Sequence, residues 1–374
     1  MLAPLIKSCA PEVDPTPVSD FHLPATASPT AANTPDPTRP PLPTATSETD
    51  PTQPPGPTAE SDIADSAQPS PTSEAAVATI ALVKTSDRAL GVRRALVLLG
   101  MNPVRGNRVL LKPNYNSADP APGSTHPDIL RSLIVEMNEM GARSITVGER
   151  SGMGDTRDVL AQTGVLSLGE KLGFDTVIFD ELDEQAWIVQ QSRDHHWQSG
   201  FALPRILLDS ECVVQTCNLK THRYGGHFTM SLKNSVGFVA RSVRAGSYNY
   251  MEELHNSPYQ RQMIAEINAA YTPSLIVLDG VDAFVDGGPA KGKIASPSVV
   301  IAGSDPVAID AVGVALLRLL GTTPQVSRGK VFEQEQIARA VELGLGINSP
   351  ERIKIVTGDA PSEAYANQIG RFLT

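Results

Sequence analysis

Short β-branched runs alternate with amphipathic stretches from residue 76 to residue 374, and this alternation admits few folds. The runs at 77–83, 108–111, 144–147, 176–179, 212–215, 275–278, 298–302 and 353–356 read as strands, several of them apolar at nearly every position. A strand apolar on both faces must be covered on both faces, the condition met by a parallel sheet in βαβ connection. The expectation is a three-layer α/β domain with a mostly parallel, Rossmann-like sheet. Residues 188–191 and 201–203 predict a hairpin inserted in that sheet, with His195-His196-Trp197 as a solvated turn at its tip.

Helix starts are legible as well. Thr125 or His126 sits at a cap position with Pro127 in the first turn, Ile129, Leu130, Leu133, Ile134 and Met137 form an apolar stripe, and Gly141 ends it. Asp305 and Pro306 open a second helix that is apolar on most sides over 307–320, so it is expected to be buried. Ser257 and Pro258 open a third, running through Ile264 and Ile267.

The first 75 residues follow a different rule. They hold 17 of the 31 prolines and 10 of the 41 acidic residues against Lys7 and Arg39, so most of the net charge of −10 sits there. Such a stretch cannot bury enough apolar surface to offset its chain entropy and predicts a disordered Pro/Thr-rich tether over 1–75, ahead of one domain over 76–374. The near-neutral remainder offers no nucleic-acid face. No run of 18 apolar residues predicts a membrane span. Cys9, after Leu5-Ile6-Lys7-Ser8, resembles the end of a bacterial lipoprotein signal, although Lys7 is an unusual neighbour and the preceding apolar stretch is short. A lipid-anchored, extracytoplasmic domain is one expectation; a stray cysteine on the tail of a cytoplasmic protein is the other. Cys212 and Cys217, if on one strand, lie roughly 16 Å apart on opposite faces and cannot bond to each other.

Polar residues follow the central strands at once: Lys112 and Asn114, Glu149 and Ser151, Lys220 and His222, Asp279 and Asp282, Ser304 and Asp305. Were these strands all parallel, the five groups would gather at the carboxyl edge, where open α/β sheets bind ligands. The densest stretch is Lys220-Thr221-His222, His227, Lys233-Asn234 and Gly237, which reads as a loop crowded with cationic, imidazole and amide groups.

Leu111-Lys112-Pro113-Asn114, His126-Pro127, Asn218-Leu219-Lys220-Thr221-His222 with Thr229 and Lys233-Asn234, and the run from Gly303 to Asp310 occur in this order. Together they resemble the domain-of-unknown-function 362 family over roughly residues 80 to 320. Many members of that family add ferredoxin-like cysteine motifs; this chain has no C-x-x-C run, so no iron–sulfur cluster is expected. His222 with Lys233 is also loosely similar to the histidine and cofactor-bearing lysine of the nickel-pincer lactate racemases, a resemblance that implies hydroxy-acid-like or other anionic substrates.

The residue types themselves suggest an enzyme for a small anionic metabolite. Lys112, Lys220 and Lys233 would hold a carboxylate or phosphate, His222 and Glu149 would move protons, and Arg150 would be the ion-pair partner of Glu149. Asn114, Asn234 and Asp305 would line the site, with Asp279 or Asp282 orienting the substrate. His222 and His227, with Glu149, Asp279 or Asp282, are candidate nitrogen and oxygen ligands for a divalent metal, without a diagnostic spacing. Ser151 lacks a nucleophile-elbow frame. The alternative reading is an extracytoplasmic binding protein, which needs donors in fixed positions but no titrating group.

Overall fold

A computed structural model of the chain describes residues 76–191, 193–244 and 248–374, all within one compact unit, Ser70–Thr374. The expected tether and Cys9 lie outside the described residues. The strands are β1 (Ala78–Lys84), β2 (Arg108–Lys112), β3 (Ser144–Glu149), β4 (Asp175–Ile178), β5 (Trp187–Gln190), β6 (Phe201–Pro204), β7 (Cys212–His222), β8 (His227–Thr229), β9 (Leu275–Gly287), β10 (Gly292–Ala295), β11 (Val299–Gly303) and β12 (Ile353–Val356). A ten-stranded sheet runs in the order β12-β1-β11-β9-β7-β2-β3-β4, with β10 added to β9 and β8 added to β7.

The mostly parallel character is as the apolar runs predict. β7 pairs in parallel with both β2 and β9, and β3 with β2 and β4. β11 is the exception inside the sheet, antiparallel to both β1 and β9. The 188–191 and 201–203 runs do form a hairpin, β5 with β6, but it stands as a separate two-stranded sheet instead of entering the large one. Its connection is not a solvated turn: Trp197 is buried with its indole N–H donating to Met263 O at 3.2 Å, and His196 meets Glu266 at 2.6 Å.

Alternate residues of each strand feed different layers, as period two requires. Ala81, Val83, Val109, Leu111 and Val214 pack with the helices Arg88–Leu99 and Pro127–Glu139 on one face. Ile80, Leu82, Cys217, Leu219 and Ile276 meet the buried helix Pro306–Leu319 on the other. Cys212 and Cys217 thus belong to opposite layers, and both are free thiols. His126 caps the helix at Pro127, and Asp305 caps the one at Pro306, its side chain accepting from Ala308 N at 2.8 Å. Ser257 bonds Tyr259 N at 3.1 Å, and the third helix begins two residues beyond the expected start, at Gln260. Among the described residues no helix is long and apolar enough to cross a membrane.

Chain order sets where a crevice opens. From β2 the sheet grows outward through β3 and β4 on one side and through β7 and β9 on the other. The connections leaving β2 and β7 therefore diverge at their carboxyl ends, the position where doubly wound sheets bind ligands.

Candidate functional site

A cavity of about 570 Å³ lies at that divergence. Of the residues singled out from the sequence, Lys112, Asn114, Glu149, Lys220, His222, Lys233 and Asn234 line it. Asp279, Asp282, Asp305 and His227 do not.

The divergent cases have physical causes. Asp305 follows β11, and because β11 is antiparallel its carboxyl end points to the opposite edge of the sheet. There Asp305 takes the backbone N–H groups of Ala308 and Ile347, each at 2.8 Å, which is a capping role. Asp279 and Asp282 sit midway along β9, and Arg88 bridges them with two contacts of 2.9 Å. His227 stands opposite His222 across the β7–β8 pair but outside the cavity wall. Among the described residues no three His, Cys, Asp or Glu side chains come together as a metal-binding group. Beside His222 stand Lys220 and Lys233, cations that oppose a metal ion.

The expected loop after 212–215 is a strand. β7 continues to His222 with all eleven residues buried, so Lys220 and His222 project from rigid backbone. Only 223–226 separate β7 from β8. Lys220 is fully buried, and its ammonium donates to Asn114 Oδ1 at 2.8 Å and to Gly123 O. Asn114 Nδ2 donates in turn to Asn234 Oδ1 at 3.2 Å, and Asn234 Nδ2 reaches Lys112 O and Thr216 O. This amide chain ties the ends of β2 and β7 to the short helix Ser231–Asn234 that presents Lys233.

Glu149 is committed on both oxygens. Its Oε1 meets Lys112 Nζ at 2.5 Å and accepts from Arg150 N at 2.9 Å, while Oε2 accepts from Tyr115 N at 2.8 Å. The guanidinium of Arg150 is not its ion-pair partner; it donates to Val239 O at 2.6 Å and Val236 O at 2.8 Å. Gly237 lets this pair approach: a Cβ there would stand 2.6 Å from Lys112 Nζ and 2.9 Å from Glu149 Oε1.

Cationic charge is in surplus. Lys220, Lys233 and Arg150 line the cavity, and none has a carboxylate partner among the described residues. Burial pulls Lys220 down to about 7, with Lys233 nearby adding to the effect. Burial, followed by the Arg150 charge, pulls Lys233 down to about 8. Burial and the two lysines push His222 well below the ordinary histidine range, so its ring is neutral at pH 7 and does not titrate near neutrality as expected. Its Nδ1 is buried without a hydrogen-bond partner, as are the Tyr115 hydroxyl and Thr229 Oγ1 on the same wall.

Several lining residues escaped sequence reasoning. Met251, Glu252, His255 and Asn256 come from the helix Tyr250–Asn256 and Asn249 is its N-cap, and the pattern of this segment carries no signal that it borders a site. Arg150 adjoins Glu149 in sequence, which made it look like that residue's counter-ion.

Known proteins give three comparisons. A curated relative, the thylakoid-associated protein of Synechocystis sp., is 27% identical over 217 residues, which take in 57% of this chain and 64% of that protein. A solved structure, the lactate racemase apoprotein from Thermoanaerobacterium thermosaccharolyticum, aligns with 80% of this chain and 86% of its own at 14% identity and a TM-score of 0.37. The model of the domain of unknown function DUF362 matches residues 109–315, from β2 to the buried helix after β11, and the chain belongs to the DUF362 family.

Proposed function

We propose that the domain is an enzyme acting on a small anionic metabolite, a carboxylate or a phosphate, at the carboxyl ends of β2 and β7. The cationic surplus is the observation behind this reading. Three buried cations facing one cavity, none of them ion-paired to the carboxylates of Glu149 or Glu252 that also line it, are costly to maintain unless an anion completes them. In this scheme Lys220 and Arg150 hold the anion, Lys233 approaches from the short helix, and neutral His222 donates or accepts a hydrogen bond at the reacting atoms. Glu149 fixes Lys112 and the backbone around it and does not carry protons. A domain that only binds would need placed donors but no shifted amines; lysines near 7 and 8 in one cleft favour an enzyme.

Binding of a dicarboxylate followed by calorimetry tests this, because such a ligand keeps its charge above about pH 6. A bound anion favours the ammonium form of Lys220, so the complex retains a proton that the free protein releases as pH rises through about 7. Affinity is therefore expected to fall about tenfold to a hundredfold from pH 6.5 to 9, and Lys220→Met should flatten that profile. A pH-independent affinity, or no binding of any carboxylate or phosphate, would overturn the reading.

The relative's thylakoid association and the residues before Cys9 support a further part of the proposal, that the domain is tethered to a membrane, outside the cytoplasm, through a lipid on Cys9. Fatty-acid labelling of the protein expressed from its native gene should mark the wild type and not Cys9→Ser. An unlabelled wild type removes the anchor.

A further inference from the structure

Three lysines line the cavity, and two of them are fixed as donors. Lys112 Nζ donates to Pro113 O at 2.7 Å and pairs with Glu149, while Lys220 donates to Asn114 Oδ1 and Gly123 O. These contacts occupy the two nitrogens as donors, that of Lys220 even though burial pulls it down to about 7. Lys233 differs. It is 9% exposed, lines the cavity, and has neither a hydrogen bond nor an ion pair from its amine to another described residue.

Its surroundings suit a neutral amine. A Cβ on Gly226 would lie 2.7 Å from Lys233 Cε and 3.2 Å from His222 Nδ1, so both side chains converge on the space that this glycine leaves open. The imidazole nitrogen there is the one without a partner. Arg150, held by the carbonyls of Val236 and Val239, adds positive charge from the same wall. An amine that is desolvated and near another cation is the setting in which lysine acts as a nucleophile. With its pKa near 8, roughly a tenth to a quarter of Lys233 is free amine at pH 7 to 7.5.

We propose that Lys233 is a catalytic nucleophile that forms an imine with the carbonyl of a small oxo acid whose carboxylate rests on Lys220 and Arg150. This inference rests on the anion-binding reading above and names its substrate class. The nitrogen lone pair adds to the carbonyl carbon while the carbonyl π pair moves to oxygen. His222 Nδ1 relays one proton from nitrogen to that oxygen, giving a carbinolamine. The C–O bond then breaks, the oxygen leaves as water with a second proton from nitrogen, and the C=N bond forms. Amine and carbonyl become imine and water, with no change of oxidation state.

Reductive trapping tests the step. The full chain is incubated with pyruvate and cyanoborohydride at pH 7.5, and modified peptides are identified by mass spectrometry. Lys233 should carry the reduced adduct about tenfold sooner than the exposed Lys291 and Lys293, and His222→Ala should slow its labelling about tenfold. Lys233→Arg, which keeps the charge, should lose the rapid label but keep the rise in melting temperature that pyruvate produces. Labelling of Lys233 no faster than the surface lysines, with that thermal shift intact, overturns the imine alone. Loss of both the label and the shift in the wild type overturns the anion-binding reading with it.

Discussion

Replacing Glu149 with alanine should destabilise the fold by about 3 to 5 kcal/mol, because it leaves a buried ammonium without its counter-ion. Lys112 and Glu149 are each 1% exposed and 2.5 Å apart, so in the folded protein the carboxylate stands in for water as the partner of the ammonium. Two backbone donors, Tyr115 N and Arg150 N, lose their acceptor as well. The double variant Lys112→Met with Glu149→Gln removes the charges together and keeps an amide oxygen for those donors. It should recover more than half of the loss, although neither residue's native chemistry remains. Urea unfolding of the wild type, Lys112→Met, Glu149→Gln and the double variant gives the coupling energy. A Glu149→Ala protein within about 1 kcal/mol of wild type would mean that the pair is solvated and the site more open than its burial indicates.

The same pair illustrates what a sequence discloses. The existence of the eight strands in the main order of the sheet was legible, because β-branched runs that must be covered on both faces leave little choice of element, whereas the short additions β8 and β10 carry no such run. Strand length was not legible. Thr216 to His222 look like loop because most of them are polar, yet all are buried, with β9 paired alongside as far as Lys220 and β8 from Lys220 to His222. The direction of β11 was equally hidden, since an apolar run reads the same in either orientation, and Asp305 was carried to the wrong edge for that reason. Lys112, Glu149, Lys220 and His222 could be placed because each ends or extends a parallel strand beside the divergence of β2 and β7. Asp279 and Asp282 could not be told apart from them without Arg88, which lies 191 residues from the first and 194 from the second. Arg150 shows the converse: adjacency to Glu149 suggested an ion pair, whereas the fold directs its guanidinium to carbonyls 86 and 89 residues away.

Asp310, behind the site on the buried helix Pro306–Leu319, should have the second large effect. Its carboxylate is fully buried and accepts from Ser231 N at 2.7 Å, from Leu232 N at 3.3 Å and from Gln336 Nε2 at 3.2 Å. It thus anchors the first turn of Ser231–Asn234, the segment that presents Lys233. Asp310→Ala leaves those donors without a partner and should cost about 3 kcal/mol or more. It should also weaken anion binding, through displacement of Lys233. Asp310→Asn behaves differently. Its amide oxygen still serves the two backbone donors, and its amide nitrogen can meet Gln336 Oε1, which is buried without a partner and becomes available if that side-chain amide turns over. Burial raises the carboxyl of Asp310 from 3.8 to about 7. The folded state therefore binds the extra proton between those values, and the stability that Asp310 contributes falls as pH rises through that window and is constant above it. Asparagine has no such proton to lose. Relative to wild type, Asp310→Asn should gain about 1 to 3 kcal/mol between pH 5 and pH 8 in urea unfolding, with a slope of at most about 1.4 kcal/mol per pH unit. A difference that stays constant over that range would show Asp310 to be ionised throughout. The cap on the Lys233 segment would then be a carboxylate, adding a fixed negative charge behind the cations of the cavity.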